Sequence, residues 1–333
     1  MTLASSTLSS APTPRARRRG REALFLLGLL ALFAVGLGGL ALAGGWQESW
    51  AQVARLSLWQ IGLLLLLSLA NYGLRGLRWH LFSRRLGLGL PLSASLRHFL
   101  GGFAMTVTPG RVGELVRMRW ISRETGWRFT RSAPLVLVDR ASDLAAMGAI
   151  LALSLSLSTM GITGAFPVAA LALIAAIVAT RPALLTRIVT VLYRLLGRAP
   201  RAFGRIRSAA RSLTVFSTLP TIAGSLSLGA AGWLAEGIAF ALLLGWMGAD
   251  IGLFSAIAIF VFSTLAGGLT GAPGGIGGAE AAMIALLKLH GIPLEVSVPA
   301  TAIIRITTLW FAIGIGILAF PAAERASLKA TTP

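Results

Sequence analysis

Two short segments of similar sequence decide the fold, because each interrupts an apolar region with proline and glycine. Residues 273–280 read Pro-Gly-Gly-Ile-Gly-Gly-Ala-Glu, and residues 109–114 read Pro-Gly-Arg-Val-Gly-Glu. Both have the form Pro-Gly-x-(Val/Ile)-Gly followed closely by Glu. Proline lacks a backbone donor and fixes φ, while glycine permits sharp turns. Each segment therefore predicts a break between two helices.

The surrounding chain has the composition of a membrane protein. It contains 333 residues, of which 56% are hydrophobic and only 12% are charged. A helix of about 20 apolar residues spans the hydrocarbon core of a bilayer. The sequence predicts an all-α polytopic membrane protein with about six full transmembrane helices, near 23–43, 56–74, 133–157, 163–180, 221–246 and 296–320.

The first apolar run has a competing interpretation as a signal peptide. Arg-Arg precedes it and Ala-Leu-Ala follows it, as in a cleaved leader. Its length and the further spans after it favour a retained helix.

The chain is strongly basic, with 30 Lys and Arg against 11 Asp and Glu and a formal net charge of +19. In a soluble protein this imbalance would suggest nucleic acid, but in a membrane protein it marks cytoplasmic loops. Arginine-rich stretches follow the second apolar run, precede the third and separate the fourth from the fifth. We therefore expect cytoplasmic N- and C-termini, with a disordered basic tail at 1–20 and a short tail at 322–333, and no nucleic-acid partner.

The same rule identifies two segments that do not cross the membrane. Both flanks of 92–108 are basic, so this segment is expected to enter from the cytoplasm and return. The segment 251–290 is then expected to begin and end outside. Irregular backbone at membrane depth is tolerated only where it is buried in protein or lines a wet cavity. The sequence thus predicts two opposed re-entrant helical hairpins and an internal pathway.

The two halves of the chain also match in the spacing of their polar residues. An arginine follows the glutamate of each hairpin by a similar distance, and a polar residue precedes each proline by a similar distance. The matched offsets are 26 residues from Glu114 to Arg140, 25 from Glu280 to Arg305, 38 from Asn71 to Pro109 and 37 from Glu236 to Pro273. We predict an inverted repeat with halves at about 56–157 and 221–320, joined by a basic cytoplasmic connection at 181–211, within a single domain over 21–321.

Ionisable residues inside the apolar sequence indicate a site. A charge at the bilayer centre costs at least about 2.5–3.5 kcal/mol, so such groups pair or face a cavity. We expect Arg140 and Arg305 to converge on the hairpins, where they neutralise Glu114 and Glu280 or bind a phosphate. Two simpler alternatives stay open: each Glu–Arg pair only fastens a hairpin to its neighbouring helix, and Asp139 lies near the cytoplasmic interface.

The candidate residues fall into two sets. Those expected to contact a lipid headgroup are Arg75, Arg78, Glu114, Arg117, Arg140, Asp143, Glu236, Glu280 and Arg305. Those expected to form a hairpin gate are Pro109, Gly110, Gly113, Pro273, Gly274, Gly275, Gly277 and Gly278. The chain has no cysteine and only three scattered histidines, so we expect no metal, cofactor or catalytic residue.

These residues resemble a known family. The resemblance is carried by Asn71-Tyr72-x2-Arg75-x2-Arg78-Trp79, the Pro109–Glu114 hairpin with Arg117, Asp139-Arg140-x2-Asp143, the Pro273–Glu280 run and Arg305. Together they are similar to the lysylphosphatidylglycerol synthase transmembrane-region family, over about residues 23–321. The resemblance implies a flippase-like membrane unit. In bifunctional members such a unit is fused to a cytoplasmic aminoacyltransferase domain, which we expect this chain to lack.

The expected function is translocation of a lipid with a polar, phosphate-bearing head across the bacterial plasma membrane, without enzymatic activity. The expected partners are membrane lipids, anionic or polyprenyl-type phospholipids among them. The oligomeric state stays open, a homodimer included. Two alternatives are an intramembrane lipid-modifying enzyme that uses Glu114, Asp139 or Glu280 as acid or base, and a scaffold for a lipid- or envelope-synthesis complex.

Overall fold

The computed structural model describes residues 46–106, 112–158, 165–196 and 213–330. This part of the chain is helical and contains no strand. The predicted span at 23–43 and the gate residues Pro109 and Gly110 lie outside it. Residues 197–211 of the basic connection at 181–211 lie outside it as well. The all-α prediction is confirmed for the described residues.

The helices follow one another with short connections. They are α1 (Trp46–Ala54), α2 (Leu58–Arg85), α3 (Leu92–Gly101), α4 (Val112–Thr125), α5 (Phe129–Ser132), α6 (Pro134–Leu157), α7 (Ala165–Thr180), α8 (Pro182–Leu196), α9 (Leu219–Trp246), α10 (Leu253–Leu269), α11 (Gly278–Leu289), α12 (Leu294–Arg305) and α13 (Phe311–Lys329). Short 3-10 turns occupy Gly102–Met105, Leu213–Phe216 and Pro273–Gly275. A π-helical segment, Ile306–Trp310, joins α12 to α13.

Three helical stretches in the described ranges are long and apolar enough to cross a membrane by length and composition. They are α2, α9 and the continuous stretch Leu294–Lys329 that comprises α12, the π-helical segment and α13. This agrees with a multi-pass membrane protein. The expected total of about six spans and the re-entrant course of the two hairpins stay predictions.

The first helix of each predicted half packs against the other. Helices α2 and α9 are each 28 residues long and form an extensive interface. Gly232 of α9 lies at this interface, where a Cβ atom would be in van der Waals contact with the backbone oxygen of Asn71 at 3.4 Å. At the start of α2, Gln60 closes a capping box by accepting a hydrogen bond from the backbone N–H of Ser57 at 2.8 Å.

The two helix–break–helix units pack in matching ways. Helix α3 packs against α2 and against α13, whereas α10 packs against α9 and against α6. Each unit therefore lies between the first helix of its own half and the last long helix of the other half. Each unit thus contacts both halves, and the two units pack against equivalent helices.

The glycine–proline segment at 273–280 breaks the chain between α10 and α11, as its composition predicts. Gly274, Gly275 and Gly277 have φ values of 65°, 68° and 85°, which residues with a Cβ rarely adopt. The two arms of the hairpin are in close contact beside the break, because a Cβ on Gly267 would lie 2.7 Å from the Cβ of Ala279.

The contact between α13 and the first hairpin yields a stability prediction. A Cβ on Gly316 would lie 2.2 Å from the backbone nitrogen of Ala104. Replacing Gly316 by alanine should therefore lower the free energy of unfolding by about 1–3 kcal/mol through overpacking. The check is the thermal unfolding midpoint of the purified protein in detergent.

Gly314 provides a matched control on the same helix, since a Cβ there would meet no atom within 4 Å. We expect Gly314→Ala to leave the midpoint unchanged or to raise it slightly. Equal midpoints for the two variants would contradict the close packing of α13 on Gly102–Met105.

Candidate functional site

A cavity of about 530 Å³ lies between the two halves, beside the break at 273–275. Its charged lining consists of Arg75, Arg117, Arg140, Asp143, Glu236 and Arg305. The same cavity has an extensive apolar wall, to which Met147, Leu171, Phe260 and Leu265 contribute. The cavity therefore combines a polar face with a hydrocarbon-like face.

Asp143 of α6 is the acceptor on which most of the polar face converges. Its carboxylate lies 2.8 Å from a guanidinium nitrogen of Arg75, 2.7 Å from one of Arg78 and 3.4 Å from one of Arg140. The indole N–H of Trp233 also donates to it at 3.1 Å. One carboxylate thus positions side chains from α2, α6 and α9.

Arg78 lies behind this network and does not line the cavity. Its side chain is fully buried and pairs with Asp139 at 2.6 Å as well as with Asp143. Gly229 makes room for it, because a Cβ there would lie 2.8 Å from a guanidinium nitrogen of Arg78. Arg78 is therefore separated from the cavity lining, and its expected contact with a headgroup stays a prediction.

Asp139 lies beside Asp143 on α6 and is also buried. Its side chain is 1% exposed and held by Arg78, while its depth relative to the membrane stays open. A buried carboxylate needs a partner of opposite charge. Arg78 supplies that charge.

Arg305 and Glu280 form the corresponding pair in the second half. The Nε of Arg305 donates to Glu280 at 2.6 Å, and a terminal nitrogen donates to the backbone oxygen of Gly274 at 3.0 Å. Glu280 also accepts a hydrogen bond from the backbone N–H of Gly277 at 2.7 Å. This pair fastens the glycine break to the end of α12, while Arg305, Pro273, Gly274 and Gly275 line the cavity. Gly277 and Gly278 lie in the break but outside the lining.

Arg140 occupies the matched position in the first half. Its side chain is 35% exposed, lines the cavity and lies 3.8 Å from Asp139 as well as 3.4 Å from Asp143. Gly113 and Glu114 belong to α4. The side chain of Glu114 lies outside the described part, so the Glu114–Arg140 pair stays a prediction. The structure does bring Arg140 and Arg305 to one cavity.

Arg117 enters the cavity from α4 through the first hairpin. It donates to the backbone oxygen of Phe99 at 2.8 Å, and its guanidinium carbon lies 4.6 Å from the centre of the Phe99 ring. A Cβ on Gly102 would lie 2.0 Å from the Nε of Arg117, so Gly102 leaves the space that this guanidinium group occupies.

Glu236 of α9 is the second acidic group in the lining. It is only 5% exposed, yet it forms no hydrogen bond or ion pair within the described residues. Arg75, Arg305 and Asp143 line the same cavity as Glu236. It is thus a carboxylate near several arginines without direct contact to any of them.

The family assignment agrees with this architecture. The family described as lysylphosphatidylglycerol synthase TM region matches residues 25–316. The chain belongs to this family. It is also 32% identical over 89 residues to a UPF0104 membrane protein of Methanothermobacter thermautotrophicus, a match that covers 27% of this chain and 26% of the relative. The match thus spans about a quarter of that curated relative's length.

Two aromatic residues of this family member belong to the site although the candidate sets omit them. Trp233 donates to Asp143, and the guanidinium carbon of Arg75 lies 4.7 Å from the centre of its ring. Tyr72 donates its hydroxyl to the backbone oxygen of Thr308 and lines the cavity. The sequence offered one signal for them, namely a tyrosine or tryptophan inside an apolar span. The O–H or indole N–H of such a side chain needs a hydrogen-bond partner when it is buried.

The arrangement is suited to an amphipathic anion. Guanidinium groups bind phosphate or carboxylate oxygens with a planar set of donors. The apolar wall of the same cavity can accept an acyl or isoprenoid chain. In the described ranges, no group of three His, Asp or Glu side chains is placed to hold a metal ion.

The buried Arg78 pairs lead to a second stability prediction. Replacing Arg78 by methionine removes the nearer of the two arginines that pair with Asp139, and one partner of Asp143. Loss of one member of a buried ion pair costs about 3–5 kcal/mol, so we expect a large fall in the thermal unfolding midpoint. Arg85→Met, at the exposed end of α2, is the matched control and should change the midpoint little.

Adding Asp139→Asn to Arg78→Met should recover part of the lost stability, because the uncompensated carboxylate is removed. A midpoint for Arg78→Met equal to that of Arg85→Met would show that the buried pairs contribute nothing to stability.

Proposed function

We propose that this protein translocates a lipid with a polar, phosphate-bearing headgroup across a membrane through the cavity between its two hairpins. The observation that supports this most is the juxtaposition of Arg75, Arg140 and Arg305 with an extensive apolar wall in a single cavity. A soluble anion would not need the apolar wall, and a lipid tail would not need the arginines. A phospholipid uses both.

The arginines are positioned in advance of binding. Asp143 orients Arg75 and Arg140, while Glu280 and the backbone of Gly274 orient Arg305. A phosphate that enters the cavity would share these guanidinium donors with the carboxylates. Because the arginine side chains are already ordered, binding would not have to order them. Because Arg140 and Arg305 come from different halves, a headgroup held between them would bridge the halves.

The two hairpins would act as the gate. Each is packed against helices of both halves, so rocking one half against the other would move the hairpins in opposite senses. Access to the headgroup site would then alternate between the two faces of the membrane. The sequence contains no nucleotide-binding motif, so we propose transport that is downhill, ion-coupled or driven by synthesis of the lipid.

The first test is lipid translocation in reconstituted liposomes. A fluorescent phospholipid is incorporated, and dithionite quenches the fraction exposed in the outer leaflet. Arg305→Ala should slow translocation at least about tenfold, which corresponds to about 1.4 kcal/mol. Arg305→Lys should translocate the lipid at a rate between those of the wild type and Arg305→Ala, because lysine keeps the charge and lacks the planar set of donors.

Arg325→Ala is the control, since Arg325 is exposed on α13 and far along the sequence from the cavity lining. Equal rates for wild type, Arg305→Ala and Arg325→Ala would rule out the role given to Arg305. Mass spectrometry of the recovered lipid distinguishes an enzyme, because a chemically altered lipid would favour the lipid-modifying alternative.

The opposed orientation of the hairpins can be tested by cysteine labelling, because the natural chain contains no cysteine. Lys288→Cys lies at an exposed position near the end of α11, and Arg85→Cys lies at an exposed position at the end of α2. In intact cells, an impermeant maleimide should label Lys288→Cys but not Arg85→Cys. Labelling of both positions from the same face would exclude the opposed-hairpin topology.

A further inference from the structure

Glu236 differs from the other acidic residues of the central network. Asp139 and Asp143 pair with Arg78, and Glu280 pairs with Arg305, each at 2.7 Å or less. Glu236 is buried to a similar degree and lines the cavity, but it contacts no arginine among the described residues. A buried carboxylate without a partner is costly when ionised. Its presence in the cavity lining therefore calls for a ligand that neutralises it.

The groups that face Glu236 come from every element around the cavity. Helix α2 contributes Tyr72 and Arg75, α4 contributes Arg117, α6 contributes Arg140 and Asp143, and α12 contributes Arg305; α10 contributes no titratable side chain. The hydroxyl of Tyr72 donates its hydrogen bond to the backbone oxygen of Thr308, so it does not donate to Glu236. The charge on Glu236 is balanced only at a distance, chiefly by Arg75 and Arg305.

We infer that Glu236 is a proton-binding site coupled to the headgroup, and that it takes up a proton when an anionic phosphodiester engages the arginines of the cavity. This inference rests on the proposed function for its role in transport, but the binding event it describes can be measured separately.

The coupling follows from the shared arginines. Without a headgroup, Arg75 and Arg305 stabilise the ionised form of Glu236 across the cavity. A bound phosphodiester places a second negative charge beside Glu236 and uses the same guanidinium donors. Both changes disfavour the carboxylate and favour the carboxylic acid, so Glu236 takes up a proton, which the buffer supplies.

The linkage is reciprocal. If the anion favours protonation of Glu236, protonation of Glu236 must favour the anion to the same extent. Affinity for an anionic phosphodiester is therefore expected to fall as pH rises and Glu236 becomes ionised in the free protein. The loaded cavity carries the anion and the proton together, with no net charge added, so a proton gradient can drive the movement of the lipid.

The direct test is calorimetric titration of the detergent-solubilised protein with dihexanoyl phosphatidylglycerol, a soluble phosphodiester that stays singly charged near neutral pH. Titrations in buffers of different ionisation enthalpy give the number of protons taken up per lipid bound. Wild type should take up a substantial fraction of one proton, and its affinity should weaken between pH 6 and pH 8, by at most about tenfold per pH unit for one linked proton.

Glu236→Gln should bind the lipid with no proton uptake and with an affinity that does not change with pH. Glu295→Gln, a carboxylate of α12 that is outside the cavity lining, is the matched control and should behave like wild type. Glu236→Asp keeps a titratable group and should retain proton uptake. If Glu236→Gln does not fold, the comparison of wild type with Glu236→Asp and the pH dependence of wild-type affinity still decide the outcome.

Four results would overturn the inference. They are wild-type binding without proton uptake, unchanged proton uptake in Glu236→Gln, affinity that depends on sodium in place of pH, and failure of lipid binding in the wild type.

Liposome assays separate this inference from the proposed function. Wild-type translocation at equal rates at pH 6 and pH 8, with no response to a proton gradient, would overturn the coupling while leaving lipid translocation intact. Proton-linked lipid binding without any translocation would overturn the proposed function while supporting the proton site at Glu236.

Discussion

The arrangement of the polar face depends on the carboxylate of Asp143. Three arginines and an indole N–H converge on it, and they come from three different helices. In an apolar protein interior such charges are tolerated only as a connected set, because removing one member leaves another uncompensated. The network therefore fixes how α2, α6 and α9 meet, and it holds Arg75 and Arg140 at the cavity wall. Arg78 completes the network from behind the cavity lining.

Part of this arrangement could be derived from the sequence. The break at 273–280 follows from proline and clustered glycine, and the contact between Glu280 and Arg305 agrees with their expected convergence on the second hairpin. These features depend on local backbone chemistry and on residues that lie one helix apart. The presence of Arg75, Arg140, Glu236 and Arg305 in one lining was also anticipated, since charges in apolar spans must face a cavity or a partner.

Other parts could not be derived, for physical reasons. Arg75 and Arg78 lie three residues apart on α2, and nothing in the sequence distinguishes them. The packing of α6 and α9 decides that Arg75 lines the cavity and that Arg78 is buried against Asp139. The choice depends on Gly229, whose missing side chain leaves the space that Arg78 fills. The contributions of Tyr72 and Trp233 likewise depend on the rotation of their helices, which a charge-based interpretation of the spans does not fix.

The π-helical segment Ile306–Trp310 has a consequence for how one long helix serves both halves. A π-helical insertion adds a residue to a turn and so rotates the following part of a helix relative to the preceding part. Before the insertion, Arg305 points to the break of the second hairpin; after it, Gly316 lies against Gly102–Met105 of the first. The two hairpins therefore contact different faces of one continuous helical stretch, Leu294–Lys329, with no loop between the two contacts.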